Sequence, residues 1–360
     1  IIFYLYPVLG LAAQTIKSSD NLVTKSKLTR QQKKTTYIFD NGAIYTGQIK
    51  LRRPNGYGET LFPNGDTHIG QYSKGLREGY GVYRFADGEK YQGEWSKNRQ
   101  HGQGIYFFAN GDKYSGTWDY DYQNGYGVFC YSNGDIYKGE WKKDIRHGKG
   151  VYLWSDGSHY SGEWINDKRN GFGVMVWSDG AEYRGEWVNG VRNGKGVYSS
   201  NVYHYSGSWS NDNENGRGEC LFASGDIYSG EFLDGMISGL GTYIFINGDS
   251  YKGYFINGKA EGRGVYIWSD GSKYDGDWKD NNFHGKGTMT WINKDTYYGD
   301  WIEGVPSGQG SIKFTDGNKY KGGFTDGQAD GEGVIYDADG YLFEGVFSMG
   351  RRVGVFQRKN

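Results

Sequence analysis

An all-β repeat fold is predicted by three features of the chain: a 23-residue period, two-residue alternation inside each period, and glycines and aromatic rings at fixed places in it. The anchors are Tyr45, His68, Tyr91, Tyr114, Tyr137, Tyr160, Tyr183, Tyr205, Tyr228, Tyr251, Tyr274, Tyr297, Tyr320 and Phe343. Thirteen intervals separate these fourteen units, twelve of 23 residues and one of 22. Residues 91–113 show the unit in full. Tyr91, Gly93 and Trp95 share one parity while Lys90, Gln92 and Glu94 share the other, and Gly102, Gly104, Tyr106 and Phe108 form a second run of the same kind. Two such runs make a β-hairpin with one aromatic face and one largely polar face.

The glycines follow from the rings. A glycine leaves a slot on the aromatic face, so Gly102 and Gly104 are both expected to receive a ring from a neighbouring strand. Each ring buries roughly 150–250 Å², which offsets the poor strand propensity of glycine. Asn64-Gly65, Asp87-Gly88, Asn133-Gly134 and Asp179-Gly180 supply positive-φ residues for the turn into the next unit. The six residues after each Trp position, such as 50–55, read as a loop. Between Tyr183 and Tyr205 one residue is missing and the turn at 199–204 lacks its Gly, which predicts a kink between two halves of the array.

Composition agrees. With 62 Gly, 33 Tyr and 12 Trp but only 36% apolar residues, the buried surface must come from rings rather than from two conventional aliphatic cores. A formal charge of −1 gives no whole-molecule attraction to nucleic acid. Cys130 and Cys220 are too few for a disulfide framework or a thiolate metal site, and no Asn-x-Ser/Thr acceptor occurs; both fit a reducing, cytoplasmic setting. Residues 1–13 read as an apolar arm that docks on a partner, 14–36 as a polar linker, and 37–360 as the array.

The repeat Tyr-x-Gly-x-Trp followed by Gly-x-Gly, over residues 45 to about 356, resembles the MORN repeat. The resemblance implies an elongated, single-layer antiparallel meander of about fourteen hairpins. At about 4.8 Å per strand, 28 strands would run about 130 Å if untwisted. It also implies a structural scaffold similar to radial-spoke head proteins and basal-complex scaffolds, placed in the cytoskeleton or ciliary axoneme, with protein partners of a large assembly and homo- or hetero-oligomers. On this reading Tyr91, Trp95, Tyr114, Trp118, Tyr137, Trp141, Tyr160, Trp164, Tyr183 and Trp187 line a partner-binding groove.

The charge of the post-Trp segments changes along the chain, from a net +8 over the first seven units to −6 over the next six. Lys97, Arg99, Lys142, Lys143, Arg146, Lys168 and Arg169 make the basic rim, which supports the alternative function of a membrane adaptor on anionic lipid. No catalytic residue, metal or cofactor is expected. His101, His147 and His284 occupy one repeat slot, as turn chemistry does, and the carboxylates are spread along the array instead of converging on one substrate. The Gly-x-Gly pairs precede strands, so no helix N-terminus stands behind them to hold a phosphate.

Overall fold

The computed structural model describes residues 35–359, with side chains to residue 354. Among these residues strand is the only extended regular element. The chain forms two compact units, the first ending at Ala109 and the second beginning at Asn110. In the first, Thr35–Ile38 pairs with Ile44–Lys50, and three hairpins anchored at Tyr45, His68 and Tyr91 follow in an antiparallel meander. In the second, eleven hairpins run from Lys113–Asp119 with Tyr122–Cys130 to Leu342–Ser348 with Arg351–Lys359. Three and eleven make the fourteen hairpins expected. The first strand starts at Thr35, inside the segment read as linker.

The hairpin of Tyr160, His159–Ile165 and Lys168–Val176, shows how each unit is built. Its turn is Asn166-Asp167, with φ of 50° and 65°. Positive φ at both central residues is the two-residue turn whose twist matches paired strands. The six positions expected to form a loop are therefore a tight turn with strand residues on either side. Gly162 faces Gly173, but Glu163 then faces Asn170, so Gly171 and Phe172 drop out of the pairing as a bulge and pair instead with Trp187 and Glu186 of the next hairpin.

The two glycines of Gly-x-Gly have different jobs. The second is a ring slot: a Cβ on Gly104 would stand 2.5 Å and 2.6 Å from ring carbons of Tyr91, across the strand pair. Gly93 sits under the same hydroxyl, two residues on from Tyr91 in its own strand. The first is not a slot, contrary to expectation. Gly102 has φ +60°, and a Cβ there would meet the Glu94 carboxylate, which accepts the Gln103 amide at 3.3 Å. Glu140 and Glu186 accept the Lys149 and Lys195 amides at the same place, both at 3.1 Å. The first glycine thus serves bulge geometry, capped by the acidic residue before Trp.

A second clamp joins successive hairpins. Asp249 accepts the Tyr266 hydroxyl at 2.7 Å and the Ser269 amide at 2.8 Å, both one unit further on. Asp66 and Asp135 repeat this with Tyr83 and Ala86 and with Tyr152 and Ser155. Those bonds, Tyr266 first, hold the Asp249 carboxyl below its usual range. At the short turn the clamp is replaced. Ala181 stands where an aspartate would hold this turn to the preceding hairpin, and at the junction to the following hairpin, where Tyr203 takes the aspartate's place, the Val202 carbonyl accepts the Ala223 amide at 2.9 Å. Strand pairing continues unbroken there, Ser199 facing His204 and Tyr198 facing Tyr205.

Candidate partner-binding site

The ten rings expected to line a groove are instead the core. Tyr91, Tyr114, Tyr137, Tyr160 and Tyr183 are 0% exposed, and Trp95, Trp118, Trp141, Trp164 and Trp187 lie between 2% and 6%. The physical reason is mutual cover. In the second unit Tyr137 meets Trp164, Tyr160 meets Trp187 and Tyr183 meets Trp209, each edge to face at 5.2–5.5 Å, while each tyrosine also meets the Trp of its own strand. The polar handles of Tyr160 and Trp187 are satisfied inside the layer, whereas the buried Trp141 indole N–H has no hydrogen-bond partner among the described residues. The Tyr160 hydroxyl donates to the Glu163 carbonyl at 3.1 Å, and the Trp187 indole donates to the Gly173 carbonyl at 3.3 Å. In the second unit this herringbone buries the expected groove rings, which therefore offer almost no surface to a partner, while Trp154, Trp177 and Trp268 at the margin of the layer are half-buried.

The basic rim divides in two. Lys97, Arg99, Lys142, Lys143 and Lys168 are exposed at or beside the hairpin turns. Arg146 and Arg169 are not rim charges: their guanidiniums lie 4.7 Å and 4.1 Å from the rings of Trp164 and Trp187. Arg169 donates to the Gly190 carbonyl at 2.8 Å, and Arg146 to the Asp167 carboxylate at 2.9 Å. Burial pushes the Arg169 pKa down. Arg77 and Arg192 stack in the same way on Trp95 and Trp209. These arginines lid the ring layer and staple one hairpin to the next.

Exposed apolar surface lies on the other parity. In the second unit a groove of about 1390 Å³ runs over the back of the sheet, floored by paired glycines such as Gly196 with Gly207 and Gly218 with Gly230. Its walls carry Phe172, Lys195, Arg217, Leu240, Lys252 and Arg263. Phe172 is 59% exposed and Leu240 62%, and Leu240 pairs across the strands with Tyr254 at 43%. The first unit presents Tyr57, Tyr80 and Leu61 on the corresponding parity, all exposed. The same alternation that located the rings marked these residues, but their mixed polarity reads as an ordinary wet face.

His101, His147 and His284 stand opposite Glu94, Glu140 and Asp277 at one repeat slot. No group of three metal-ligating side chains is found among the described residues. Cys220 is buried in the ring layer and Cys130 half-buried; both are free thiols.

The MORN-repeat family model matches thirteen consecutive segments, from 45–67 to 320–340. The fourteenth hairpin, anchored at Phe343, lies beyond them. No curated protein matches. Among solved structures, the chain is similar to the TCP domain of SAS-4 of Drosophila melanogaster in complex with a proline-rich motif of Ana2, at 10% identity over 49% of this chain and 85% of that one, TM-score 0.27. A second is the TCP10 domain of Danio rerio CPAP with a peptide of STIL, at 12% identity over 74% and 93%, TM-score 0.25.

Proposed function

Because the chain belongs to the MORN-repeat family, whose members are generally structural scaffolds, we propose that it is a non-enzymatic scaffold holding partner proteins on the face opposite its rings. The observation that carries this reading is the exposure of Phe172, Leu240 and Tyr254 beside a glycine-floored groove, on a sheet whose other face is already packed. A chain with no separate core spreads its binding surface along the repeats. The assembly proposed is cytoskeletal, the ciliary axoneme among those the repeat pattern resembles, with the cytoplasm as compartment.

The alternative is attachment to anionic lipid. It is favoured by the exposed Lys97, Arg99, Lys142, Lys143 and Lys168 at the hairpin turns. Salt separates the two. Partner proteins co-purifying with the native chain are expected to survive high salt and to be lost when Leu240→Glu and Tyr254→Ser are combined. Partners retained by that variant, or tight salt-sensitive flotation with phosphatidylserine vesicles, would reject the scaffold reading.

A further inference from the structure

We propose that the glycine-floored groove of the second unit receives an acidic segment in the polyproline II conformation, with carboxylates three residues apart. The inference rests on the reading of this face as the partner-binding one.

Charge is the first argument. The groove wall carries the cations Arg184, Lys195, Arg217, Lys252 and Arg263 against the carboxylates Glu219 and Asp275. Arg184 is paired with Glu182, and Arg263 lies 3.5 Å from Asp275 and 3.6 Å from Asp277. The Lys195 ammonium donates to the Ser208 hydroxyl at 2.7 Å and is in no ion pair among the described residues. Arg217 and Lys252 are exposed and in no ion pair among the described residues, although Glu231 stands across the strand pair from Arg217. Among the residues that line the groove, cations thus outnumber carboxylates five to two, and Arg217 and Lys252 are in no ion pair among the described residues.

Spacing is the second. Lys195, Arg217, Leu240 and Arg263 are the middle residues of Gly-x-Gly in four consecutive hairpins, so they recur once per hairpin along the groove. Two strands at about 4.8 Å give about 9.6 Å per hairpin. A polyproline II helix advances about 9.3 Å per three-residue turn, so every third side chain meets the next hairpin in step. A β-strand, at about 6.8 Å per two residues, drifts out of step within one hairpin. The third contact is apolar: Leu240 and Tyr254 form an exposed pair on which a proline ring can lie. The floor of paired glycines lies between the side-chain walls, where a narrow extended chain reaches and a planar bilayer does not.

The test is fluorescence anisotropy of the full chain with a labelled peptide of repeated Glu-Pro-Pro. The proposal expects binding at least tenfold tighter than to repeated Gln-Pro-Pro or to proline-free polyglutamate. It expects at least a tenfold loss in the doubly substituted Arg217→Glu, Lys252→Glu chain, and recovery of binding by that chain towards repeated Lys-Pro-Pro. Equal binding of Glu-Pro-Pro and Gln-Pro-Pro overturns it, as does tighter binding of polyglutamate. So does binding of phosphatidylserine vesicles that the same two substitutions abolish. The scaffold reading is scored separately, by whether the Leu240→Glu, Tyr254→Ser chain loses its native partners; partners lost there, with no preference for Glu-Pro-Pro, refute the ligand chemistry alone.

Discussion

The ring of Tyr160 meets the indole of Trp187, one hairpin further on, edge to face at 5.5 Å and 85°. Trp187 in turn meets Tyr183 of its own strand at 5.2 Å and 88°. One indole thus closes the core of two units at once. Replacing it by Ala removes a buried aromatic from a layer that cannot collapse, because its floor is sheet. The expected cost is about 3–5 kcal/mol, with Trp187→Phe recovering most of it. Denaturant unfolding checks this, and amide exchange should place the loss in the hairpins of Tyr160 and Tyr183.

The two glycines of a repeat are separable by substitution. Gly104→Ala pushes a methyl into the Tyr91 ring and should cost about 2–3 kcal/mol. Gly88→Ala meets open space at φ +96° and should cost only the left-handed strain, about 1–2 kcal/mol. Equal melting temperatures for the two variants would refute the slot.

His68 makes the first unit sensitive to acid. It replaces tyrosine at its anchor, is 0% exposed, and its Nδ1 is 2.8 Å from the Tyr72 hydroxyl. Burial first, and Arg77 second, hold its pKa down from 6.5 to about 3. The folded value lies below the unfolded one, so the unfolded chain binds the proton first. Stability is full above pH 6.5 and is lost as pH falls towards 3, by on the order of 2 kcal/mol at pH 4.5. Denaturant curves of the native chain and of His68→Tyr, run at pH 7 and pH 4.5, should show the native chain lose on the order of 2 kcal/mol relative to the variant between the two pH values.

Neighbouring cations should behave differently. Arg169→Ala loses the stack on Trp187 and the bond to Gly190 and should cost about 2 kcal/mol. Lys168→Ala, at an exposed strand end, should stay within about 0.5 kcal/mol. Thermal melts of the two variants decide it.

The period, the hairpin count and the turn glycines were legible because each is a backbone demand made again in nearly every unit: Gly65 and Gly134 must adopt φ near +90°, which glycine adopts most cheaply. Alternation also told which residues share a face. It could not tell which face is wet. Tyr160 and Trp187 are hidden by one another, an inter-unit packing effect that no single hairpin contains. Arg169 misled for a related reason: its charge suggested a rim, while its planar fork and long stem suit an indole and a carbonyl. The aspartate clamps, Asp249 to Tyr266 and Ser269, link residues 17 and 20 positions apart, a spacing visible only once the hairpins are stacked.

Side-chain footprinting with hydroxyl radicals, read residue by residue in the free chain and in its native assembly, tests the central claim most directly. Trp164 and Trp187 should remain unmodified in both states, while Phe172, Leu240 and Tyr254 should be modified in the free chain and protected in the assembly. Ready modification of Trp164 and Trp187 in the free chain, with protection in the assembly and no change at Leu240, would contradict the account and restore the ring face as the binding surface.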